Sequence, residues 1–432
     1  MSFPGAILMG AQRRLLPVSV PYRFFLAAAF FQVLAWGLLA LGADGLPGYG
    51  GGPGPLLSVV HAITLGVFVS AAMGASFQML PVATGLELFA LWPCRLASWL
   101  LFPGIPVLLA GFHLGETGLM TVGAVAVTGA LALFAAVVGN LILRAKGVLV
   151  VLRLHAATAL AALAGLILLG LALIADYGHG FLPDRGAAGL VHLILAAYGF
   201  MGFLALGYSH ILVPMFALSQ AADERRAKQG FGLSLAALTA AVAGGLAGSA
   251  ALLGGAALLG LGGSGIHLRL MWGSLSTGMR KNLGLSFVLV KVSWIFLPLA
   301  LAVGGLAAAL GNDRAIQLFA FLTLFGWLLT FLMGILQRII PFLAAMNAGK
   351  GMGGRTPRLS ELANEGPLKV HAVCHFLAVA LVAVGILAAW PPAVLGGALA
   401  GLVGALAFLW FAVDVFRRLL RSRNVNKQET ES

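Results

Sequence analysis

Charge is what this chain has least of. Asp and Glu number 13 in 432 residues, and charged side chains of either sign make up 9%, where a soluble globular domain carries about 25%. That excludes a soluble fold, because there is too little polar surface to cover so much apolar material. Carboxylates are missing above all from the apolar runs. Asp176, Asp223, Glu224, Asp313, Glu361 and Glu365 read as loop residues, and Asp414 falls in the final turns of the last run. A proton pump built on membrane-buried acids has nothing to work with here. Cysteine is scarce as well: Cys94 and Cys374 are the only two, so no disulfide framework is implied. Cys374 lies in HAVCH, but His371 stands where a covalent haem attachment needs its second cysteine.

What is present is apolar, 61% of the chain. Runs long enough to cross a hydrocarbon layer of about 30 Å fall at 22–43, 56–81, 95–114, 117–143, 149–175, 187–217, 230–248, 250–268, 284–310, 315–341, 367–390 and 392–416. The expected fold is therefore all-α: a polytopic membrane protein of twelve transmembrane helices, one integral domain over 1–432 that ends in a short basic tail at 419–432. The break between the seventh and eighth helices is the least marked, since 230–263 is nearly continuous Ala, Gly and Leu.

Positive charge orients the chain. Arg13, Arg14, Arg144, Lys146, Arg225, Arg226, Lys228, Arg280, Lys281, Lys350, Arg355, Arg358 and the tail from Arg417 to Lys427 all fall on one side. The other side has Arg185 and Arg314. The positive-inside rule places both termini in the cytoplasm, with the chain in a bacterial inner membrane and lipid as its partner. Topology thus accounts for the net charge of +13, and no nucleic-acid partner is implied. Arg13 and Arg14 precede an apolar run of spanning length without a small-residue cleavage site behind a short core, so the first helix is expected to be retained.

A repeat runs through the helices. Gly74 precedes Pro81 by seven residues, Gly207 precedes Pro214 by seven, and Gly334 precedes Pro341 by seven, at intervals of 133 and 127. The element recurs in helices two, six and ten, which predicts three four-helix units. Many secondary transporters are instead built as two related halves.

Histidine carries the chemistry. The run LVHLILAAYGFMGFLALGYSHILVPMFALS holds His192 and His210 eighteen residues apart, on one helix face and roughly 27 Å apart along the axis. Ionisable groups inside a membrane are costly enough to count as functional hypotheses. His61 opens helix two, His155 lies a turn inside helix five, and His371 and His375 share one face of helix eleven at i and i+4. His267 beside Arg269 reads as a solvated interfacial residue, as do His113 and His179, and Lys291 as a snorkelling lysine. Imidazoles without carboxylates suggest axial haem ligation or soft-metal binding, against the alternative of hydrogen bonds to backbone carbonyls or to Gln337. Depth sorts them into two groups. His61 and His192, both near the outer face, are expected to form one haem site, against the alternatives of two separate sites or of one ligand beside a histidine that only hydrogen-bonds. His155, His210, His371 and His375, all in the inner leaflet, are expected to form a cluster for copper or for proton relay.

The second helix also resembles something known. A histidine twenty residues before a proline, then P-V-A-T-G, resembles helix two of haem–copper oxidase subunit I, in which that histidine ligates the low-spin haem. Twelve helices, inside termini and a three-unit repeat are what that superfamily implies, together with b-type haem, copper and a redox partner. The departures are specific. The H-x-H pair of helix ten is replaced by Phe319 and Phe321, and the copper-binding His-His of helix seven and the H-x-x-x-Y of helix six are absent. The resemblance therefore implies the scaffold without the oxygen-reducing binuclear centre. The YRFF at Tyr22 to Phe25 is also similar to the R-P-F-F opening of the NnrS family, linked to haem, copper and nitric oxide metabolism. That family's W-H-x-H-E-M is replaced by LLSVVHAITLG around His61. Two other functions compete with haem binding: a secondary transporter with a histidine-lined path, and a non-catalytic assembly subunit.

Overall fold

The computed structural model describes residues 14–145, 149–349 and 359–431 of the chain, with side chains only at 361–422 in the last segment. Arg13, Lys146, Lys350, Arg355 and Arg358, used above for topology, lie outside the described residues, as does the side chain of Lys427. Among the described residues, twelve helices are long and apolar enough to span a membrane. They are α1 (Ser19–Leu41), α2 (Pro55–Thr84), α3 (Trp92–Leu114), α4 (Thr117–Arg144), α5 (Val150–His179), α6 (Arg185–Ala217), α7 (Glu224–Ala247), α8 (Ala250–Thr277), α9 (Gly284–Leu310), α10 (Asp313–Ala348), α11 (Glu365–Ala388) and α12 (Pro391–Glu431). The expected count holds. The basic end, where Arg144, Arg225 and Arg280 lie, is distinguished below from the opposite, neutral end.

The uncertain stretch at 230–263 resolves into two helices. Gly248 adopts φ 59° after α7, a left-handed conformation that costs glycine little, and the Ser249 hydroxyl accepts the Leu252 N–H to cap α8. Two local signals were enough to stop and restart a uniformly helix-forming sequence. At the other extreme, α12 continues as one helix to Glu431, so residues 419–431 extend the last helix.

Asp176 is no loop residue. It sits in the last turn of α5, 5% exposed, with its carboxylate paired to Arg185 at 2.5 Å and accepting the Leu182 N–H. The Arg185 guanidinium also lies 3.9 Å over the Tyr177 ring. The α5–α6 turn is fastened by this cluster at the neutral end. Lys291 is exposed, with its ammonium 5.5 Å from the Trp272 ring.

The helices with the glycine-to-proline element share a further feature. Each contains an eight-residue π-helical segment, Ala62–Val69 in α2, Leu195–Gly202 in α6 and Leu322–Leu329 in α10. π-Helical turns are rare, and frequently lie at functional sites. The segments start at the same 133- and 127-residue intervals as the glycines. They carry a second set, Gly66, Gly199 and Gly326, that the sequence pattern alone did not expose. A Cβ at these positions would lie 2.5 Å from Phe31 on α1, 2.7 Å from Ala162 on α5 and 2.9 Å from Phe296 on α9. At Gly74, Gly207 and Gly334 it would meet Phe24 on α1, His155 on α5 and the Ser286 carbonyl on α9. Each repeat helix is thus pressed against the helix before it by two glycines, the close approach that drives packing where lipid supplies no hydrophobic gradient.

Hydroxyl contacts tie the repeat helices together. Tyr208 Oη donates to Ser76 Oγ at 2.6 Å, joining α6 to α2. Tyr198 Oη and Thr323 Oγ1 are 2.9 Å apart, joining α6 to α10. Tyr22 Oη of the YRFF segment donates to the Ile340 carbonyl at 2.6 Å, locking α1 onto α10.

Candidate functional site

Between α2, α6 and α10 and the helices around them lies a cavity of about 1040 Å³ that reaches from the Tyr49–Gly52 loop into the middle of the bundle. Its walls are apolar except for a few groups, chief among them His61, His192, Tyr198, Arg185 and Gln317. Cavities of that character, with few convergent polar groups, are where large cofactors and ligands bind.

The two histidines expected to share a site do meet. His61 immediately precedes the π segment of α2, and His192 lies three residues before that of α6. Their ring centroids are 6.4 Å apart with planes inclined by 32°. His61 Nδ1–H donates to the Leu57 carbonyl at 3.0 Å, which leaves Nε2 with its lone pair free. His192 packs against the Leu166 carbonyl and has a buried Nδ1 without a hydrogen-bond partner among the described residues. Gly170 of α5 leaves room for this ring: a Cβ there would lie 3.0 Å from His192 Cε1. Phe112 covers His61 at 4.5 Å between centroids.

The four histidines expected to form one inner cluster divide into two groups. His155 and His210 have ring centroids 5.7 Å apart, and the third member of their group is His267, 5.1 Å from His210. The solvated reading of His267 is therefore incorrect: it is 5% exposed, because α8 carries it into the bundle while Arg269, two residues on, remains outside. His155 Nδ1–H donates to the Val151 carbonyl at 2.8 Å, and the three rings border a void of about 10 Å³. Among the described residues, no three or more His, Cys, Asp or Glu side chains are arranged to hold a metal ion.

His371 and His375 pack elsewhere, against α10 and α12. They stack at 5.7 Å with planes inclined by 10°, His371 beside Gln337 and Phe408, His375 beside Thr330. The single four-histidine cluster failed because helical spacing fixes depth along each helix and says nothing about which neighbour a face meets.

Phe319 and Phe321 replace ligands with packing. Phe319 stacks on Tyr198 at 6.0 Å, and Phe321 stacks on Phe325 at 5.0 Å. Trp327 lies 5.4 Å from the same tyrosine. With no imidazole on α7 or α10, these residues do not fit a binuclear centre.

No family model and no curated protein matches this sequence. Solved structures do match. A cryo-EM structure of a haem–copper terminal oxidase dimer superposes with a TM-score of 0.64 at 12% identity, covering 94% of this chain and 84% of that one. The fold is that of a haem–copper oxidase. This sequence is thus a multi-pass membrane protein on that scaffold, at an identity that speaks for architecture alone.

Proposed function

We propose that the chain is a haem-binding membrane protein on the oxidase scaffold, lacking the oxygen-reducing centre. One observation carries this reading: two imidazoles stand side by side in the wall of an apolar cavity large enough for a macrocycle. Their 6.4 Å centroid separation is close to the span of two rings on one metal, roughly 6 Å when each nitrogen lies about 2 Å from the ion. The orphaned Nδ1 of His192 also fits a missing partner, since buried polar groups are otherwise paired.

His61 and His192 would hold the group, a b-type haem since no cysteine pair is present to attach one covalently. Bound haem would supply one-electron redox chemistry. The chain's own part is to orient the rings. Leu57 fixes the tautomer of His61, Phe112 and Gly170 set the positions of the two rings, and the apolar walls exclude water. The narrower role, nitric oxide or other nitrogen-oxide metabolism with an external electron donor in a bacterial inner membrane, is supported by the sequence resemblance to the NnrS family.

The test is a reduced-minus-oxidised spectrum of the purified protein. A bis-histidine signature lost in both His61→Ala and His192→Ala, with the helices intact by circular dichroism, supports the pairing. A full haem complement in either variant rules it out.

A further inference from the structure

The His371–His375 pair has polar atoms that the fold does not satisfy. Both side chains are at most 1% exposed, yet His371 Nε2 and His375 Nδ1 have no hydrogen-bond partner among the described residues. Orphaned ring nitrogens on successive turns of one helix, in stacked rings, are unusual in a native interior and ask for a ligand.

The opposite nitrogen of each ring is held from α10. His375 Nε2 lies 2.7 Å from Thr330 Oγ1, and that hydroxyl spends its own proton on the Phe325 carbonyl at 3.0 Å. It can only accept from His375, so Nε2 carries the hydrogen and Nδ1 is left with a free lone pair. His371 Nδ1 faces the Gln337 amide, 3.3 Å from its nitrogen, while the amide oxygen is itself without a partner. Turning that amide end for end, a choice hydrogen-bond networks decide, puts Oε1 on Nδ1–H and frees the lone pair of Nε2. Histidine metal ligands are characteristically held this way, with one nitrogen fixed by a neighbour and the other turned to the ion.

We propose that His371 and His375 form a two-coordinate site for a soft monovalent metal ion of the Cu(I) class, separate from the His61–His192 cavity. Spacing of i and i+4 places both donors on one face. The environment selects the charge. Among the described residues, the side chains that hydrogen-bond to the rings or pair with them, Gln337, Thr330, Phe376 and Phe408, are uncharged, so none of them offsets the charge of an ion buried there. That penalises a divalent ion more than a monovalent one, and imidazole suits copper. Two donors are too few for Zn²⁺, which takes four.

The experiment uses Ag(I) as a redox-silent probe on the full chain carrying Cys94→Ser and Cys374→Ser, so that thiols do not compete. The expected result is that His371→Ala and His375→Ala each lose one equivalent of tightly bound Ag(I), and that the double variant also loses only one. Thr330→Val and Gln337→Leu, which leave both rings in place, should weaken that equivalent 10- to 100-fold. Equal Ag(I) content in the parent and the two histidine variants overturns the site and leaves a bridging water as the partner of both nitrogens. The readout is metal content, so it stands or falls apart from the haem spectrum.

Discussion

Gly170 of α5 and His192 of α6 are in near contact: a methyl group added at Gly170 would lie 3.0 Å from Cε1 of the imidazole and 3.6 Å from Nδ1. Such a contact is tighter than side chains normally make, so the ring and not the backbone has to give. Gly170→Ala is expected to turn or displace His192 and to lower haem occupancy several-fold. Stability should change by less than the roughly 1–3 kcal/mol of core overpacking, since the ring borders a cavity. Haem-to-protein ratio measured beside the melting temperature checks this. Full occupancy in Gly170→Ala would show that the contact with Gly170 does not position His192 for the group.

Gly207 and His155 make a firmer contact of the same kind. A Cβ at Gly207 would sit 2.7 Å from His155 Cβ, where neither helix can yield without parting α6 from α5. Gly207→Ala is expected to cost about 1–3 kcal/mol. Gly262 of α8, whose Cβ would meet only the Leu233 side chain at 3.5 Å, is the control. Thermal unfolding in detergent should rank Gly207→Ala well below Gly262→Ala.

The topology makes its own prediction. Single-cysteine labels at Gly50 and Asp184 are expected to react with an impermeant reagent from outside the cell, and a label at Lys228 only after permeabilisation. The distribution of Arg and Lys requires this. Any one label reversed would invert the depths assigned to the histidines.

Twelve spans were legible because each apolar run exceeds the length a bilayer demands, and the break in 230–263 was decided by Gly248 and Ser249, both visible in the sequence. The Gly74–Gly207–Gly334 series was legible through its constant distance to proline. The Gly66–Gly199–Gly326 series has the same spacing but no such landmark, and its role appears only when Phe31, Ala162 and Phe296 are found against it. His61 and His192 were paired by depth on equivalent helices. Depth alone misled for His371 and His375, which face Thr330 and Gln337 and not His155. His267 was hidden by its neighbour Arg269, since a charge two residues away lies on a different helix face.

The hydroxyl pair of Tyr208 and Ser76 gives the last prediction. Tyr208 Oη donates to Ser76 Oγ at 2.6 Å between the two repeat helices that carry His192 and His61, and Ser76 is 1% exposed or less. In water the loss of such a partner costs about 1–3 kcal/mol, because the remaining group is left unsatisfied. Within a membrane the unfolded reference finds partners of its own, and measured couplings average about 0.6 kcal/mol with a maximum near 1.7. The smaller value should govern here. Tyr208→Phe, Ser76→Ala and the double variant are therefore expected to close a thermodynamic cycle with a coupling of about 0.6–1.7 kcal/mol. Haem loading should fall little, since neither hydroxyl borders the cavity beside His61 and His192. A coupling near zero would show that this hydrogen bond does not fasten α6 to α2.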